Sequence, residues 1–356
     1  MENKIRVLVV DDSLFVRTIL SDMLSLDPEI EIIGTAKDGD EAVSKVKKLR
    51  PDVVTMDLIM PKADGIQALN GIRDLDESIR VLMLSASDRA SADHIIKSLE
   101  LGAFDFILKP SSTSSTDILR MKWDIITKIK AAYHSTGKGT VEESPHVIST
   151  FLGGRKRGRR AKGVPDHLVA IGSSTGGPVA LRYILSSLPQ EVNVPIVIAQ
   201  HMPKGFTESF AERLNSKCDI EVTEAKEGEM LERGHAYIAP GNKHMEVAAS
   251  RSGLEVNLKE GERMRGGRPS ADILLSSVAD AVCENSIGII LTGMGNDGAK
   301  GMKKIKDSGG QTIAQNQESS LIWGMPHAAI RLGVVDQVLP LADIPRALIS
   351  LRGVVS

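Results

Sequence analysis

This 356-residue sequence contains few cysteines and carries almost no net charge. Its two cysteines, Cys218 and Cys283, lack the spacing of a metal-binding motif, and so few thiols indicate a reducing compartment rather than a disulfide framework. The formal net charge is only −2, which argues against nucleic-acid binding driven by overall charge. These shortages exclude small disulfide-rich proteins, and we expect no nucleic-acid partner.

Long apolar segments are also missing. The longest apolar runs fall well short of the roughly 20 residues that a membrane-spanning helix needs. The N-terminal stretch MENKIRVLVVDD turns acidic after one short apolar run, which is not the pattern of a secretory signal. We therefore expect a cytoplasmic protein that is not inserted in a membrane. The length and a hydrophobic share of 42% favour two domains with sizeable cores.

Residues 1–134 alternate short apolar runs with amphipathic segments. Five runs that end in polar residues predict parallel strands, at 5–12, 31–36, 53–58, 80–86 and 104–110. Segments with helical periodicity lie between them, and the last helix is expected to end at about Ala132. This alternation is typical of one doubly wound α/β domain.

Residues 135–163 break this pattern, because they contain glycine, serine, proline and charge without sustained periodicity. We interpret them as an interdomain linker, and its basic run 155–162 as a solvated tether. A second α/β pattern follows over residues 164–356, with strand-like runs at 167–174, 194–201, 236–240, 286–295 and 311–316, and a hairpin-like stretch at 244–260. The expected fold is therefore two doubly wound parallel-sheet domains, the second with a β-hairpin insertion.

Polar side chains with complementary chemistry end the strands of the first domain. Asp11 and Asp12 follow the first strand, and Asp57, Ser85 and Lys109 end the third, fourth and fifth. Because the carboxyl ends of parallel strands share one edge, these groups are expected to lie together. Three carboxylates there repel one another unless a lysine or a divalent cation compensates them, and Mg²⁺ prefers oxygen ligands. Asp57 can then act as a nucleophile toward a phosphoryl donor.

This ordered set resembles the receiver domain of bacterial two-component response regulators. The resemblance implies a flavodoxin-like fold and phosphorylation of Asp57. It also implies that Asp11, Asp12 and Asp57 ligate Mg²⁺ together with the carbonyl of Ile59.

The same resemblance implies a phosphorylation switch. Ser85 is expected to be the switch hydroxyl, Phe106 the switch aromatic residue and Lys109 the phosphate contact. The Lys109–Pro110 peptide bond is expected to be cis.

The stretch AIGSSTGGPVALR, residues 170–182, allows three interpretations. A dinucleotide-binding loop needs G-x-G-x-x-G spacing and an acidic residue at the end of the next strand, whereas the glycines here are spaced differently and that strand ends in His201. A P-loop needs Gly-Lys-Ser/Thr, which is missing. The third interpretation is a G-x-S-x-G turn, in which small flanking residues expose the hydroxyl of Ser174.

A nucleophilic serine needs a base, and two neighbouring strands offer partners. His201 ends the next strand, at the sheet edge where Ser174 must lie. Asp297, in LTGMGNDG, follows another buried strand, where it can orient His201 or serve as a helix N-cap. The amide of Met294 is a candidate oxyanion donor, and the hydroxyl of Thr175 a candidate support for His201. The order Ser, His, Asp differs from that of α/β-hydrolases, which argues against an ordinary esterase.

These stretches resemble the catalytic domain of the chemotaxis protein-glutamate methylesterases, the CheB family. The resemblance includes GHAYIAPGNKHM, RPSADILLSSVA and GMPHAAI and extends through the receiver half. It implies a Rossmann-like α/β esterase domain with Ser174 as nucleophile, His201 as general base, Asp297 as its partner and the Met294 amide as an oxyanion donor.

The resemblance also implies the function. We expect a phosphorylation-regulated serine hydrolase that demethylates glutamate methyl esters on methyl-accepting chemoreceptors and deamidates particular glutamines. A chemotaxis histidine kinase is the expected phosphodonor, Mg²⁺ is expected only in the receiver domain, and the esterase reaction is expected to need no cofactor. We expect a monomer. Two alternatives are a response regulator whose second domain only binds a partner, and a hydrolase of small-molecule esters.

Overall fold

The computed structural model describes residues 4–61, 64–86, 89–110, 115–135, 167–261, 267–351 and 354. The chain divides into two compact units, Met1–Gly137 and Lys138–Ser356. The linker predicted at 135–163 lies outside the described residues except for Ser135, and its basic run lies outside them entirely. The predicted domain boundaries therefore stay predictions.

Within the described residues, the first unit holds a five-stranded parallel sheet in the order β2-β1-β3-β4-β5. Its strands are β1 (Ile5–Val10), β2 (Ile30–Ala36), β3 (Val53–Asp57), β4 (Arg80–Ser85) and β5 (Asp105–Leu108). Its helices are α1 (Leu14–Ser25), α2 (Gly39–Leu49), α3 (Gly65–Leu75), α4 (Arg89–Glu100) and α5 (Ser115–His134). This is the flavodoxin-like strand order, so the predicted fold of the first half is confirmed.

Polar side chains begin three helices of this unit. Ser13 accepts a hydrogen bond from the Val16 N–H at the start of α1, and Asp38 and Asp64 cap α2 and α3 in the same way. Each cap satisfies an N–H group that otherwise has no partner within its helix. Because α1 begins directly after Ser13, only a short loop separates it from β1. This loop contains Asp11 and Asp12, two of the predicted acidic residues.

Within the described residues, the second unit holds a seven-stranded parallel sheet in the order β14-β13-β12-β6-β7-β9-β8. Its strands are β6 (Leu168–Ser173), β7 (Ile196–Gln200), β8 (Glu221–Glu224), β9 (His235–Ile238), β12 (Ser286–Ile290), β13 (Gln311–Gln315) and β14 (Gln337–Leu339). An antiparallel hairpin is formed by β10 (His244–Ala249) and β11 (Leu254–Lys259). The predicted parallel sheet and its hairpin insertion are both confirmed.

The helices of the second unit pack against the sheet and against one another. They are α6 (Gly177–Ser186), α7 (Phe206–Asn215), α8 (Ala271–Val282), α9 (Ala299–Asp307), α10 (Gly324–Arg331) and α11 (Ile344–Ser350). Helix α8 buries Leu274, Leu275 and Val278 in the main hydrophobic core of this unit. Among all described helices, none combines the length and the apolar composition that crossing a bilayer requires.

Two strands of the second sheet are missing from the sequence prediction. Strands β8 and β14 lie at the two edges of the sheet and contain four and three residues. Their sequences, EVTE and QVL, mix polar and apolar residues, because an edge strand is only partly covered. Such short mixed segments lack the apolar run that identified the central strands.

One backbone expectation for the first unit is wrong. The Lys109–Pro110 bond is not cis, and the cis bond among the described residues is Arg268–Pro269 in the second unit. The two isomers of an X–Pro bond differ by only about 0.5–1 kcal/mol, so local packing decides between them.

Candidate functional sites

The carboxyl ends of β1, β3 and β5 bring an acidic cluster and a lysine together. Carboxylate oxygens of Asp11, Asp12 and Asp57 lie within 4.8 Å of one another. The Lys109 Nζ atom is 2.8 Å from Asp11 Oδ2 and 2.9 Å from Asp57 Oδ1. Asp11 and Asp57 are buried, whereas Asp12 is exposed. The lysine therefore compensates part of the repulsion between the carboxylates, and the remaining oxygen-rich set suits Mg²⁺.

Burial and ion pairing act in opposite directions within this cluster. Burial raises the pKa of Asp57, and the hydrogen bond and charge of Lys109 offset this only in part, so the pKa lies above its ordinary value. Burial lowers the pKa of Lys109, but the two carboxylates outweigh it and the pKa lies above its ordinary value. Lys109 is therefore a cation at neutral pH. One lysine does not neutralise three carboxylates, so a second cation bound here would reduce the remaining repulsion around Asp57.

The other predicted residues of the first unit differ in exposure. Ser85 is buried at the end of β4, and its hydroxyl donates to the Ala86 carbonyl at 3.0 Å. Phe106 is buried in β5, and its carbonyl accepts a hydrogen bond from Lys128 Nζ at 2.6 Å. Ile59 is exposed just beyond β3. The switch roles of Ser85 and Phe106 and the metal contact of Ile59 stay predictions.

A second cluster lies at the topological switch point of the seven-stranded sheet. The chain continues from β6 to β7 on one side and returns later to β12 on the other side. Such a reversal of strand order opens a crevice at the carboxyl ends of the strands. Ser174 directly follows β6, His201 directly follows β7, and Asp297 lies in the loop after β12. These three residues thus come from adjacent strand ends.

Ser174 lies on a tight turn between β6 and α6. Its N–H donates to the Thr292 carbonyl at 3.1 Å, and its carbonyl accepts from the Gly177 N–H at 2.8 Å. Gly176 has φ +79°, and a Cβ there would lie 2.8 Å from Leu321 Cβ, so this position requires glycine. Pro178 lies in the first turn of α6, a position that favours proline. The turn leaves the Ser174 side chain partly exposed.

Asp297 is surrounded by hydrogen-bond donors. His201 Nε2 lies 2.7 Å from Asp297 Oδ2. The carboxylate also accepts from the Ser270 hydroxyl at 2.9 Å, the Ala271 N–H at 2.7 Å and the Asp272 N–H at 3.0 Å, all at the start of α8. Burial raises the pKa of Asp297, but the contact with His201 and these N–H groups outweigh it and lower the pKa to about 2. Asp297 is therefore firmly ionised at neutral pH.

The alternative role of Asp297 as a helix N-cap residue is wrong, because Ser270 is the N-cap residue of α8 and the residue after Asp297 is that of α9. Gly298 is the N-cap residue of α9, and Asp297 instead binds the N-terminus of α8. This pairing joins two segments that are far apart in the sequence.

Gln200 is a buried residue to which the sequence pattern assigned no role. Its Nε2 atom donates to the Ser174 carbonyl and to the His201 carbonyl, both at 3.0 Å, and its Oε1 atom accepts from the Ser173 hydroxyl at 2.7 Å. A Cβ at Gly177 would lie 2.0 Å from this Oε1 atom, so a larger residue there would displace Gln200. One side chain therefore ties together the main chains of Ser174 and His201.

Of the two predicted supporting residues, Thr175 directly follows Ser174 and Met294 lies in the loop after β12. Thr175 is buried, and its carbonyl accepts a hydrogen bond from the Thr292 hydroxyl at 3.0 Å. Met294 follows Gly293, where a Cβ would lie 2.9 Å from Ser174 Cβ. The contact of the Thr175 hydroxyl with His201 and the oxyanion role of the Met294 amide stay predictions.

Comparison with known proteins covers both units. The family models "CheB methylesterase" and "Response regulator receiver domain" match residues 169–348 and 7–118. The chain is 44% identical to the protein-glutamate methylesterase/protein-glutamine glutaminase of Pyrococcus horikoshii, with 98% of this chain and 94% of that protein covered. It is 39% identical to the protein of the same name from Bacillus subtilis, with 97% and 98% covered.

A solved structure gives the same result for the second unit. The Thermotoga maritima CheB methylesterase catalytic domain is 43% identical and superposes with a TM-score of 0.51, covering 51% of this chain and 97% of that domain. The relatives match over nearly the whole chain, and the two family models fall on the two units that carry the two clusters. This chain therefore belongs to the CheB methylesterase family and carries a response regulator receiver domain in its first half.

Proposed function

We propose that this chain is a phosphorylation-regulated protein-glutamate methylesterase that acts on methyl-accepting chemoreceptors. It hydrolyses the methyl esters of glutamyl side chains with a triad of Ser174, His201 and Asp297, and it deamidates particular glutamines by the same route. The observation that carries this proposal is the hydrogen bond of 2.7 Å between His201 and an ionised Asp297, with Ser174 partly exposed at the end of the strand that pairs with the strand before His201. Relatives named for both activities support it.

The first step forms an acyl-enzyme. Ser174 Oγ attacks the ester carbonyl carbon while His201 takes its proton. Since Asp297 engages Nε2 of His201, the ring nitrogen that takes this proton is Nδ1. The bond to the methoxy oxygen then breaks, His201 gives its proton to that oxygen, and methanol leaves. Asp297 stabilises the imidazolium between the two proton transfers.

The second step regenerates the enzyme. His201 takes a proton from water, the resulting hydroxide attacks the glutamyl ester of Ser174, and the proton returns to Ser174 Oγ as the glutamate leaves. A glutamine substrate follows the same path and releases ammonia in the first step. The Met294 N–H donates to the oxyanion in both steps, and the Thr175 hydroxyl supports His201. This chemistry needs no metal ion.

The receiver unit supplies the regulation. Asp57 accepts a phosphoryl group from a chemotaxis histidine kinase, and Lys109 pairs with the phosphoryl oxygens. Asp11, Asp12 and Asp57 would hold Mg²⁺ together with the carbonyl of Ile59. When bound, Mg²⁺ supplies positive charge that compensates the transferred phosphoryl group.

Two further residues transmit the phosphorylation. The Ser85 hydroxyl, which now donates to a neighbouring carbonyl, turns to the phosphoryl group, and Phe106 reorients with it. The esterase activity rises as a consequence.

Methanol release from methylated receptor membranes tests the proposal. We expect the full chain to release methanol and Ser174→Ala to lose that activity, because the acyl-enzyme can no longer form. Ser187→Ala is the matched control, since Ser187 is exposed at the end of α6 and should retain full activity. Undiminished methanol release by Ser174→Ala would overturn the assignment of the nucleophile.

A further inference from the structure

The loop that carries the proposed oxyanion donor is held by the first turn of α10. The Gly293 carbonyl accepts hydrogen bonds from the Gly324 N–H at 3.0 Å and from the Met325 N–H at 2.8 Å. The Gly293 N–H donates to the Ile322 carbonyl at 2.9 Å. Both polar groups of Gly293 are therefore bound by the segment that begins α10. We call Ile322, Gly324 and Met325 the α10 clamp.

These bonds fix the orientation of the Met294 N–H. A trans peptide is planar, and its carbonyl and N–H point in opposite directions. Since the α10 clamp binds the carbonyl of the Gly293–Met294 peptide, the N–H of that peptide points away from α10. The N-terminal end of α10 also polarises the peptide through its carbonyl, which makes the Met294 N–H a stronger donor.

Neither Gly293 nor Gly324 leaves room for a side chain. A Cβ at Gly293 would lie 2.3 Å from Met325 Sδ and 2.9 Å from Ser174 Cβ. A Cβ at Gly324 would lie 2.8 Å from the Gly293 carbonyl oxygen and 2.9 Å from the Gly295 nitrogen. The oxyanion loop is thus packed between the α10 clamp and the nucleophile turn.

The hydroxyl of Thr292 connects the α10 clamp to the nucleophile turn. It accepts a hydrogen bond from the Ile322 N–H at 3.0 Å, and its own proton is shared between the Thr175 carbonyl at 3.0 Å and the Ile322 carbonyl at 3.2 Å. The Thr292 carbonyl accepts from the Ser174 N–H at 3.1 Å. Thr292 is almost completely buried, so its polar atoms need hydrogen-bond partners within the protein. One residue therefore joins three segments of the site.

We propose that Thr292 is a positioning residue for the hydrolysis. Its hydroxyl, together with the α10 clamp, holds the Gly293–Met294 peptide so that the Met294 N–H faces the oxyanion formed at Ser174. This inference rests on the proposed function, because it assumes acyl transfer at Ser174. It adds a residue that touches no substrate atom and acts through the oxyanion loop and the nucleophile turn that it holds together.

The test compares three variants of the full chain: Thr292→Val, Thr292→Ser and Thr312→Val. Thr312 is the matched control, because it is also buried, and its hydroxyl accepts from the Asp336 N–H at 3.0 Å and donates to the Val334 carbonyl at 2.7 Å or to Asp336 Oδ2 at 2.9 Å. It lies near the amino end of β13, away from the carboxyl edge of the sheet. Its loss removes equivalent hydrogen bonds without touching the oxyanion loop.

Two readouts separate positioning from general damage. The first is kcat and KM for methanol release from a helical peptide that carries a γ-methyl glutamyl ester. The second is the affinity for a peptide in which a trifluoromethyl ketone replaces the ester, because its adduct with Ser174 places an oxyanion at the same point. Urea unfolding of each variant measures the stability loss that any buried threonine causes.

We expect Thr292→Val to lower kcat by about 10- to 100-fold, since removing a whole oxyanion donor costs about 10²–10³. KM should change little, and the affinity for the ketone should fall with kcat. Thr292→Ser should restore both, and Thr312→Val should retain kcat. Should Thr292→Val fail to fold, Gly324→Ala displaces the same peptide and is expected to show the same pattern.

Two results would overturn the positioning role. One is a Thr292→Val or Gly324→Ala enzyme whose kcat and ketone affinity match those of Thr292→Ser. The other is a Thr312→Val enzyme that loses as much kcat as Thr292→Val, which would make the effect one of stability. An active Ser174→Ala enzyme would instead remove the proposed function itself, so the two failures are distinguishable.

Discussion

Asp57 and Asp297 both lie at the carboxyl edge of a parallel sheet, but their electrostatic surroundings are opposite. Asp57 faces two other carboxylates and one lysine, and burial keeps its pKa above the ordinary value. Asp297 faces His201 and the N-terminus of α8, and its pKa falls to about 2. The sheet edge determines where a carboxylate lies, and the donors around it determine what it can do.

The difference separates two chemical roles. Asp297 has a hydrogen-bond donor on each of its oxygens, so it is suited to hold a histidine and is poorly suited to attack a phosphoryl group. Asp57 lies in a negative cluster that gains from a cation, and such a carboxylate is suited to accept a phosphoryl group. Removing the negative charge of Asp297 should therefore impair ester hydrolysis and spare phosphorylation. Removing the negative charge of Asp57 should abolish phosphorylation and spare basal ester hydrolysis.

The largest expected effect is the loss of esterase activity in Asp297→Asn. An amide in this place no longer holds His201 in the correct tautomer or stabilises its charged form, and we expect kcat to fall by about 10⁴-fold. Methanol release from methylated receptor membranes measures it. Asp280→Asn, which changes an exposed carboxylate near the other end of α8, is the control and should retain kcat. An Asp297→Asn enzyme with near-normal kcat would show that His201 does not depend on this carboxylate.

A smaller effect is expected on the stability of the second unit as the pH changes. The folded pKa of Asp297 lies below its ordinary value of 3.8, so ionisation stabilises the fold above about pH 4, and this contribution is lost as the pH falls through about 2. The contribution at neutral pH is about 2 kcal/mol, since one pKa unit corresponds to about 1.4 kcal/mol.

Urea unfolding of the wild type and of Asp297→Asn at pH 7 and at pH 3 measures this contribution. The chain has two tryptophans, Trp123 in the first unit and Trp323 in the second. In a Trp123→Phe background, tryptophan fluorescence therefore follows the unfolding of the second unit alone. The difference in unfolding free energy between the two proteins should be larger at pH 7 than at pH 3. A difference that stays constant with pH would contradict a lowered pKa for Asp297.

The smallest effect on basal activity is expected for Asp57→Asn. This variant should release methanol at the unstimulated rate of the wild type and should not respond to acetyl phosphate, because the phospho-acceptor is missing. Asp40→Asn, an exposed residue of α2, is the control that should keep the response. If Asp57→Asn still responds to the phosphodonor, phosphorylation at this residue is not what regulates the esterase.

Short-range sequence patterns made part of this molecule predictable. Apolar runs located the central strands of both sheets, and the rule that polar residues gather at the carboxyl edge placed Ser174, His201 and Asp297 on neighbouring strand ends. The edge strands β8 and β14 escaped because partly covered strands of three or four residues have no distinctive run.

The surroundings of these residues depend on long-range packing and could not be predicted. Ser270 and Ala271 reach Asp297 only because α8 buries its apolar face against the sheet. The sequence shows Gln200 as a polar residue at the end of a buried strand. Its two carbonyl partners come within hydrogen-bond distance only after β6 and β7 pair.

The most direct test of the account is to map covalent labelling of the full chain by a fluorophosphonate, which reacts with a serine activated by a neighbouring base. Peptide mass analysis should find the adduct on Ser174, and Asp297→Asn should slow its formation while Asp57→Asn leaves the basal rate unchanged. An adduct on another residue, or labelling of Ser174 that does not depend on Asp297, would contradict the proposal that these residues form one catalytic site.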